Sequence, residues 1–283
     1  MRILSANKEI LITTCAGNGG TEIIVRFKTL GDRKNPAVLF FHAMGVVGES
    51  SEPVAEHLAD KYFCIMPTSA VYCKGQRYEG KLNEIFQLEK FLHDMGVCEL
   101  TLVVASSLGA DLAMEFLART ELKVGYVFFD GGQFAQIGKN MRRIMTPLLY
   151  LMIKSLYWSG GGTLKFILWC DKKEIRPYFV EAARVLSYGK LRRQLADSLE
   201  NKPFLRLSRE FEERTYFEFG SAEEHFKYRN AVMRAYPGGH FPVFEGYKHM
   251  QYQICDPEGF AAMLKTLAEE GRLPELPFLR RQT

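Results

Sequence analysis

Four short stretches, "AVLFF", "YFCIMP", "LTLVVAS" and "VGYVFFD", are almost unbroken apolar sequence. A strand with one solvated face alternates apolar and polar residues. A run without alternation predicts a strand buried on both faces, as in a parallel sheet covered by helices. Segments with helical spacing separate or follow these runs. Ile85, Leu88, Leu92 and Met95 recur three or four residues apart and form one apolar face. Leu112, Ala113, Phe116 and Leu117 form another directly after "LTLVVAS". "DPEGFAAMLKTLAEE" opens with Asp256 as N-cap and Pro257 in the first turn, and Phe260, Met263, Leu264 and Leu267 make its stripe. Near the start, "EILITT" and "EIIVRFK" alternate like an antiparallel pair, joined by the glycine turn "AGNGG". The pattern predicts an α/β protein with a mostly parallel central sheet flanked by helices.

Between about residues 132 and 208 the alternation stops. That region is rich in Met, Leu, Tyr and Arg, carries the turn "SGGGT", and reads as mostly helical. "TYFEFG" and "FPVFEG" then resume as strands. The expected organisation is a core built from 1–131 and 209–283, with a helical cap inserted at 132–208.

Composition adds few constraints. The 283 residues are 47% hydrophobic and 25% charged, with a formal charge of +4. These are values of a globular chain, and no basic stripe interleaved with aromatics points to nucleic acid. The six cysteines form no C-x-x-C pair and no Cys/His cluster with zinc spacing, so a reducing compartment and no metal are expected. The N-terminus lacks the apolar core of a signal peptide. "IMTPLLYLMIKSLYW" is broken by Pro147 and Lys154 and is too short to span a bilayer. A soluble cytoplasmic protein without membrane insertion is the expectation. No phosphate-cradling glycine pattern occurs, so no cofactor is expected.

The candidate chemistry begins at "ASSLG". A nucleophilic serine displayed where a buried strand turns into a helix needs small residues two positions before and after it. Ser107 has Ala105 and Gly109 there; Ser106 has Val104 and Leu108. Ser107 is the better nucleophile, and Ser106 is expected to support the turn. Taken alone, the two serines are equally well explained as a helix cap. Three further features favour chemistry. "AVLFFHAMG" puts a turn after a strand, able to aim a backbone N–H at the same point as the N–H of Leu108. In that turn His42 is expected to hold the loop by hydrogen bonds. His249 follows the late strand "FPVFEG", where a general base reaches the serine, and "YFEFGSAEE" places Glu223 and Glu224 after the preceding strand. His240 is a rival base, expected at the far end of its strand. His57, His93 and His225 are read as surface or packing residues.

With "ASSLG", "HAMG", "VFFDGG", "FGSAEE" and "YKHMQYQICDPEGFAAML" in this order, the chain resembles a capped α/β-hydrolase over nearly its whole length. The resemblance implies Ser107 as nucleophile, His249 as base, and the N–H groups of Met44 and Leu108 as an oxyanion hole. It places the acid three residues past Gly220, at Glu223. Asp130, at the end of "VFFD", ranks second and Glu224 third. Ala105 begins the elbow, Ala43 stands in the oxyanion turn and Lys248 precedes the histidine, where the family usually has glycine. A serine at the elbow argues against the dehalogenase and epoxide-hydrolase branches, which use aspartate there.

The activity implied is hydrolysis of an ester or thioester through an acyl-enzyme. Met141, Met145, Leu148, Tyr150, Met152, Tyr157 and Trp158 are candidates to line a pocket for an apolar or aromatic acyl group. The expected partner is this small-molecule substrate, with a homodimer left open. Three alternatives remain: a carbon–carbon bond hydrolase, an aminopeptidase, and a decayed hydrolase that only binds small molecules. The aminopeptidase would need an acidic cluster in the cap, and there Asp171 and Glu174 sit among basic residues.

Overall fold

The computed structural model describes residues 8–16, 22–132, 134, 137–168, 172–199 and 204–280. The strands are β1 (Lys8–Ala16), β2 (Glu22–Leu30), β3 (Ala37–Phe41), β4 (Phe63–Thr68), β5 (Glu99–Ser106), β6 (Lys123–Asp130), β7 (Thr215–Gly220), β8 (Val243–Phe244) and β9 (Leu279–Arg280). They form one sheet in the order β1-β2-β4-β3-β5-β6-β7-β8-β9. β3 to β8 run parallel, while β1, β2 and β9 join antiparallel. The expected turn between β1 and β2 lies, from residue 17 on, outside the described residues.

The helices in the first half are α1 (Glu52–Ala55), α2 (Lys81–Asp94) and α3 (Gly109–Leu117). α4 (Lys139–Trp158), α5 (Leu164–Ile167), α6 (Arg176–Val185) and α7 (Tyr188–Ser198) follow β6. α8 (Arg209–Glu212) leads into β7, and α9 (Arg229–Ala235), α10 (Gln251–Cys255) and α11 (Pro257–Glu270) complete the α-helices among the described residues.

The unbroken apolar runs are explained by the two layers. Successive strand residues point to opposite faces. Leu39, Phe41, Val103, Ala105 and Phe129 pack against α2 and α3 through Ile85, Leu88, Leu92 and Phe116. Their neighbours Val38, Phe40, Leu102, Val104 and Phe128 pack against α1 and α11 through Val54, Phe260, Leu264 and Leu267. Asp256 caps α11 as expected, its carboxylate accepting from the Gly259 N–H at 2.9 Å.

Two local expectations need correction, and one short strand adds to them. "FPVFEG" yields only two strand residues, because Pro242 has no N–H to pair and the chain turns at Gly246 with φ +76°. β9 went unforeseen, since a two-residue strand carries no period. Pro147 does not break its segment: α4 is 20 residues long and runs through it. The proline forfeits one backbone hydrogen bond, and the burial of Ile153 and Leu156 against α6 and α7 holds the helix together. Among the described residues no helix is long and apolar enough to cross a membrane.

Candidate active site

β5 carries the chain to Ser107, which adopts φ +51°, the left-handed region that L-residues enter at a cost. Its N–H donates to the Asp130 carbonyl at 3.0 Å, so the last turn of the ladder holds the strained residue in place. The small flanking residues have a steric cause. A Cβ at Gly109 would lie 2.5 Å from the Phe41 carbonyl oxygen and 2.6 Å from that of His42. Only glycine lets α3 begin this close to the end of β3, and Ala105 is wholly buried beneath. Ser106 turns away: its hydroxyl accepts from the Gln253 amide at 3.0 Å.

The other two loops arrive by equally close packing. Gly220, ending β7, lies against the backbone of Tyr247, where a Cβ would collide with the Tyr247 carbonyl. The N–H of Ala222 donates to that carbonyl at 3.0 Å, and Ser221 N–H donates to Phe244 O at 3.0 Å. These bonds tie the loop carrying Glu223 to the loop carrying His249. Met250, next in the chain, also has positive φ (+55°).

The result is a linear hydrogen-bonded chain. His249 Nε2 lies 2.9 Å from Ser107 Oγ, and His249 Nδ1 lies 2.7 Å from Glu223 Oε2. The Glu223 side chain is fully excluded from solvent, whereas the imidazole keeps a partly exposed edge. Gly131 presses on this pair: a Cβ there would sit 2.6 Å from His249 Nδ1. Met44 and Leu108 border the same cavity as Ser107. Leu108 precedes α3, where helix N–H groups lack intrahelical acceptors.

No protein-family model matches the chain, and no curated protein matches it in sequence. Solved structures do match in shape. An esterase from Exiguobacterium antarcticum superposes with TM-score 0.68 at 15% identity, covering 92% of this chain and 100% of that one. A carboxylesterase structure from Nitrososphaera gargenis gives TM-score 0.69 at 12% identity, covering 90% and 98%. A bromoperoxidase from Bacillus anthracis gives 0.67 at 16%, covering 92% and 100%. The chain has the α/β-hydrolase fold. Neighbours with such different names show that the fold alone does not assign the activity.

In this α/β-hydrolase fold the remaining candidates fall in different places. Asp130 is buried with Glu218 beside it on the next strand; the carboxylate hydrogen-bonded to His249 Nδ1 is that of Glu223. Glu224 is exposed at the pocket rim. His240 is stacked on Tyr216 with ring centroids 4.3 Å apart, and its Nε2 meets the Glu213 carbonyl at 3.0 Å. His225 is a correction: it lines the pocket, its ring centroid 5.0 Å from that of His249. Burial, helped by His249, lowers its pKa. A histidine two residues after the acid was the available signal. Among the described residues no group of three or more His, Cys, Asp or Glu could hold a metal ion.

Glu218 is a site residue that the sequence did not flag. Asp130 and Glu218 are paired across adjacent parallel strands, so their side chains share a face and meet. Glu218 Oε2 also accepts from the Gly131 N–H at 3.2 Å. Burial raises Asp130 to about 6 and Glu218 well above the usual carboxyl range, so Glu218 stays protonated and donates to Asp130. Both folded-state values lie above those of the unfolded chain. The pair therefore stabilises the fold fully at acid pH and loses that contribution as pH rises through about 6 and beyond. Glu218→Gln, which keeps an acceptor for Gly131 and a donor for Asp130, is expected to flatten this decline. Thermal denaturation of both proteins from pH 4 to pH 9, roughly the span over which buried carboxyls titrate, checks it. Parallel stability curves would refute the shared-proton reading.

The pocket above Ser107 has a volume of about 670 Å³, within the usual range for small-molecule sites. Met141, Met145, Leu149, Met152, Ile153 and Leu156 of α4 form one wall. His225, Lys227 and Tyr228 make another part of the lining more polar. Of the expected lining residues, Met141, Met145 and Met152 are there. Tyr150 instead packs edge-on against Tyr188 at 5.6 Å, and Leu148, Tyr157 and Trp158 are exposed.

Proposed function

We propose that the protein is a serine hydrolase that cleaves an ester or thioester of an apolar acyl group through an acyl-enzyme. The observation that carries this reading is the unbroken Ser107–His249–Glu223 chain, whose serine and histidine line an apolar pocket. His249 Nε2 takes the Ser107 proton as Oγ attacks the carbonyl carbon. Nδ1–H donates to Glu223, whose negative charge, shut off from water, fixes the tautomer and stabilises the imidazolium that forms. The negative oxygen of the tetrahedral intermediate accepts from the N–H groups of Met44 and Leu108. Its collapse breaks the bond to the leaving alkoxide or thiolate, which takes the proton from His249. Water, deprotonated by the same imidazole, then hydrolyses the acyl-enzyme.

The oxyanion turn has Ala43 instead of glycine, and its position is secured from below. The Gly45 N–H donates to Tyr72 Oη at 2.8 Å, and Tyr72 donates to Gln194 Oε1 at 3.1 Å. Burial lowers the His42 pKa to about 4, so the ring stays neutral. It can then donate from Nδ1 to the Ala43 carbonyl (2.8 Å) while Nε2 accepts from the Ser69 N–H (3.1 Å). His42 is a positioning residue for this loop.

The pocket wall supports the acyl class: methionines and leucines pack against aliphatic chains without fixing a single shape. Asp171, which the aminopeptidase reading would use, lies outside the described residues. A carboxylate within hydrogen-bond reach of His249 speaks for an active hydrolase over a purely binding protein. Labelling with a fluorophosphonate probe, read by peptide mass spectrometry, is expected to modify Ser107. A folded protein that takes no label would remove the hydrolase reading.

A further inference from the structure

α4 has two apolar faces, and only one of them is used inside the molecule. Met145, Leu149, Met152, Ile153 and Leu156 face the pocket. On the outside, Met141, Ile144, Leu148, Leu151 and Trp158 are all exposed. Their spacing of three, four, three and seven residues puts them within an arc of about 100° on the helix. Leu148 is 63% exposed and Trp158 66%; past the glycine turn, Phe166 of α5 is 80% exposed. Folded monomers seldom leave large apolar side chains in such a contiguous row.

Along this segment itself the charges have one sign. From Gly138 to Cys170 the chain carries Lys139, Arg142, Arg143, Lys154 and Lys165 and no acidic residue. Lys154 is turned inward, donating to the Ala183 carbonyl at 2.7 Å, while Lys139, Arg143 and Lys165 are exposed. A helix whose apolar stripe is edged by Lys and Arg is suited to lie in the interface of a membrane, the stripe among the acyl chains and the cations among anionic headgroups. Like charges oppose the alternative, in which the same segment of a second copy covers the row.

We infer that the outer face of α4, with the start of α5, docks on an anionic lipid surface. This adsorption involves no membrane-spanning segment. Met141 lies at the join, exposed on the outer row and also lining the pocket. The docked row is therefore continuous with the pocket wall, so an acyl ester dissolved in the lipid would pass from the bilayer to Ser107. The docking itself does not depend on the hydrolase reading; only this delivery of substrate does.

The test is co-flotation of the full chain with vesicles of phosphatidylcholine alone or mixed with phosphatidylglycerol. The protein is expected to float with the anionic vesicles, and raised salt should weaken the binding. Leu148→Glu/Leu151→Glu, at exposed positions outside the pocket, should reduce binding by about tenfold or more. It should leave the melting temperature and the hydrolysis of a water-soluble short-chain ester unchanged. In a Trp169→Phe background, Trp158 fluorescence should shift to the blue on anionic vesicles. Failure of the wild-type chain to bind them, or undiminished binding by the double variant, would overturn the inference. So would a concentration-dependent dimer that the double variant abolishes, because the row would then be a self-interface. Loss of ester hydrolysis by the wild-type chain would strike the proposed function and leave the docking result standing.

Discussion

Ser107→Ala is expected to lower kcat/KM for an activated ester by about 10⁴-fold or more, because attack and proton transfer to His249 Nε2 both end. The variant should fold normally, since the backbone N–H that Ser107 donates to Asp130 O is retained. Its left-handed backbone gives a second readout. At φ +51° alanine keeps the Cβ penalty, whereas glycine does not. Ser107→Gly should therefore be as inactive as Ser107→Ala and more stable than it by about 1 kcal/mol, measured by urea denaturation. Turnover surviving in both variants would sink the nucleophile assignment. Equal stabilities would contradict the strained elbow.

Glu223→Gln is expected to cost about 10³- to 10⁴-fold in kcat, with little change in KM. The amide fills the same buried space but brings no charge to stabilise the imidazolium. Asp130→Asn should cost about tenfold or less, because the carboxylate hydrogen-bonded to His249 Nδ1 is Glu223, at 2.7 Å. Steady-state kinetics on both variants decide between the two carboxylates. A large loss for Asp130→Asn beside a small one for Glu223→Gln would transfer the role of acid to Asp130.

The ordering Glu223, Asp130, Glu224 came from resemblance to a family pattern, not from anything local in "FGSAEE". Glu223 and Glu224 are adjacent and chemically alike. They are distinguished by the turn at Gly220, which is pressed against Tyr247 so that one carboxylate points at His249 while the next faces the pocket rim. Asp130 was a reasonable rival, since its strand also ends at the elbow. The register of β6 against β7 sets Glu218 beside it, while the carboxylate that reaches His249 Nδ1, at 2.7 Å, is that of Glu223.

The sequence by itself determined the elements that obey a short-range rule. Unbroken apolar runs of five to seven residues became β3 to β6, because two helical layers bury both faces of a parallel sheet. Ser107 could be preferred over Ser106 from the sizes of four neighbours, because the contact of α3 with β3 leaves no room for a Cβ at Gly109. Tertiary structure decided whatever depends on residues far apart in the chain. It set His225 beside His249 and Glu218 beside Asp130. It also decided which side of α4 faces the pocket. That helix is apolar on both sides, so its period carried no instruction about which side turns inward. Packing against α6 and α7 buried Ile153 and Leu156 and left Leu148 and Trp158 in water.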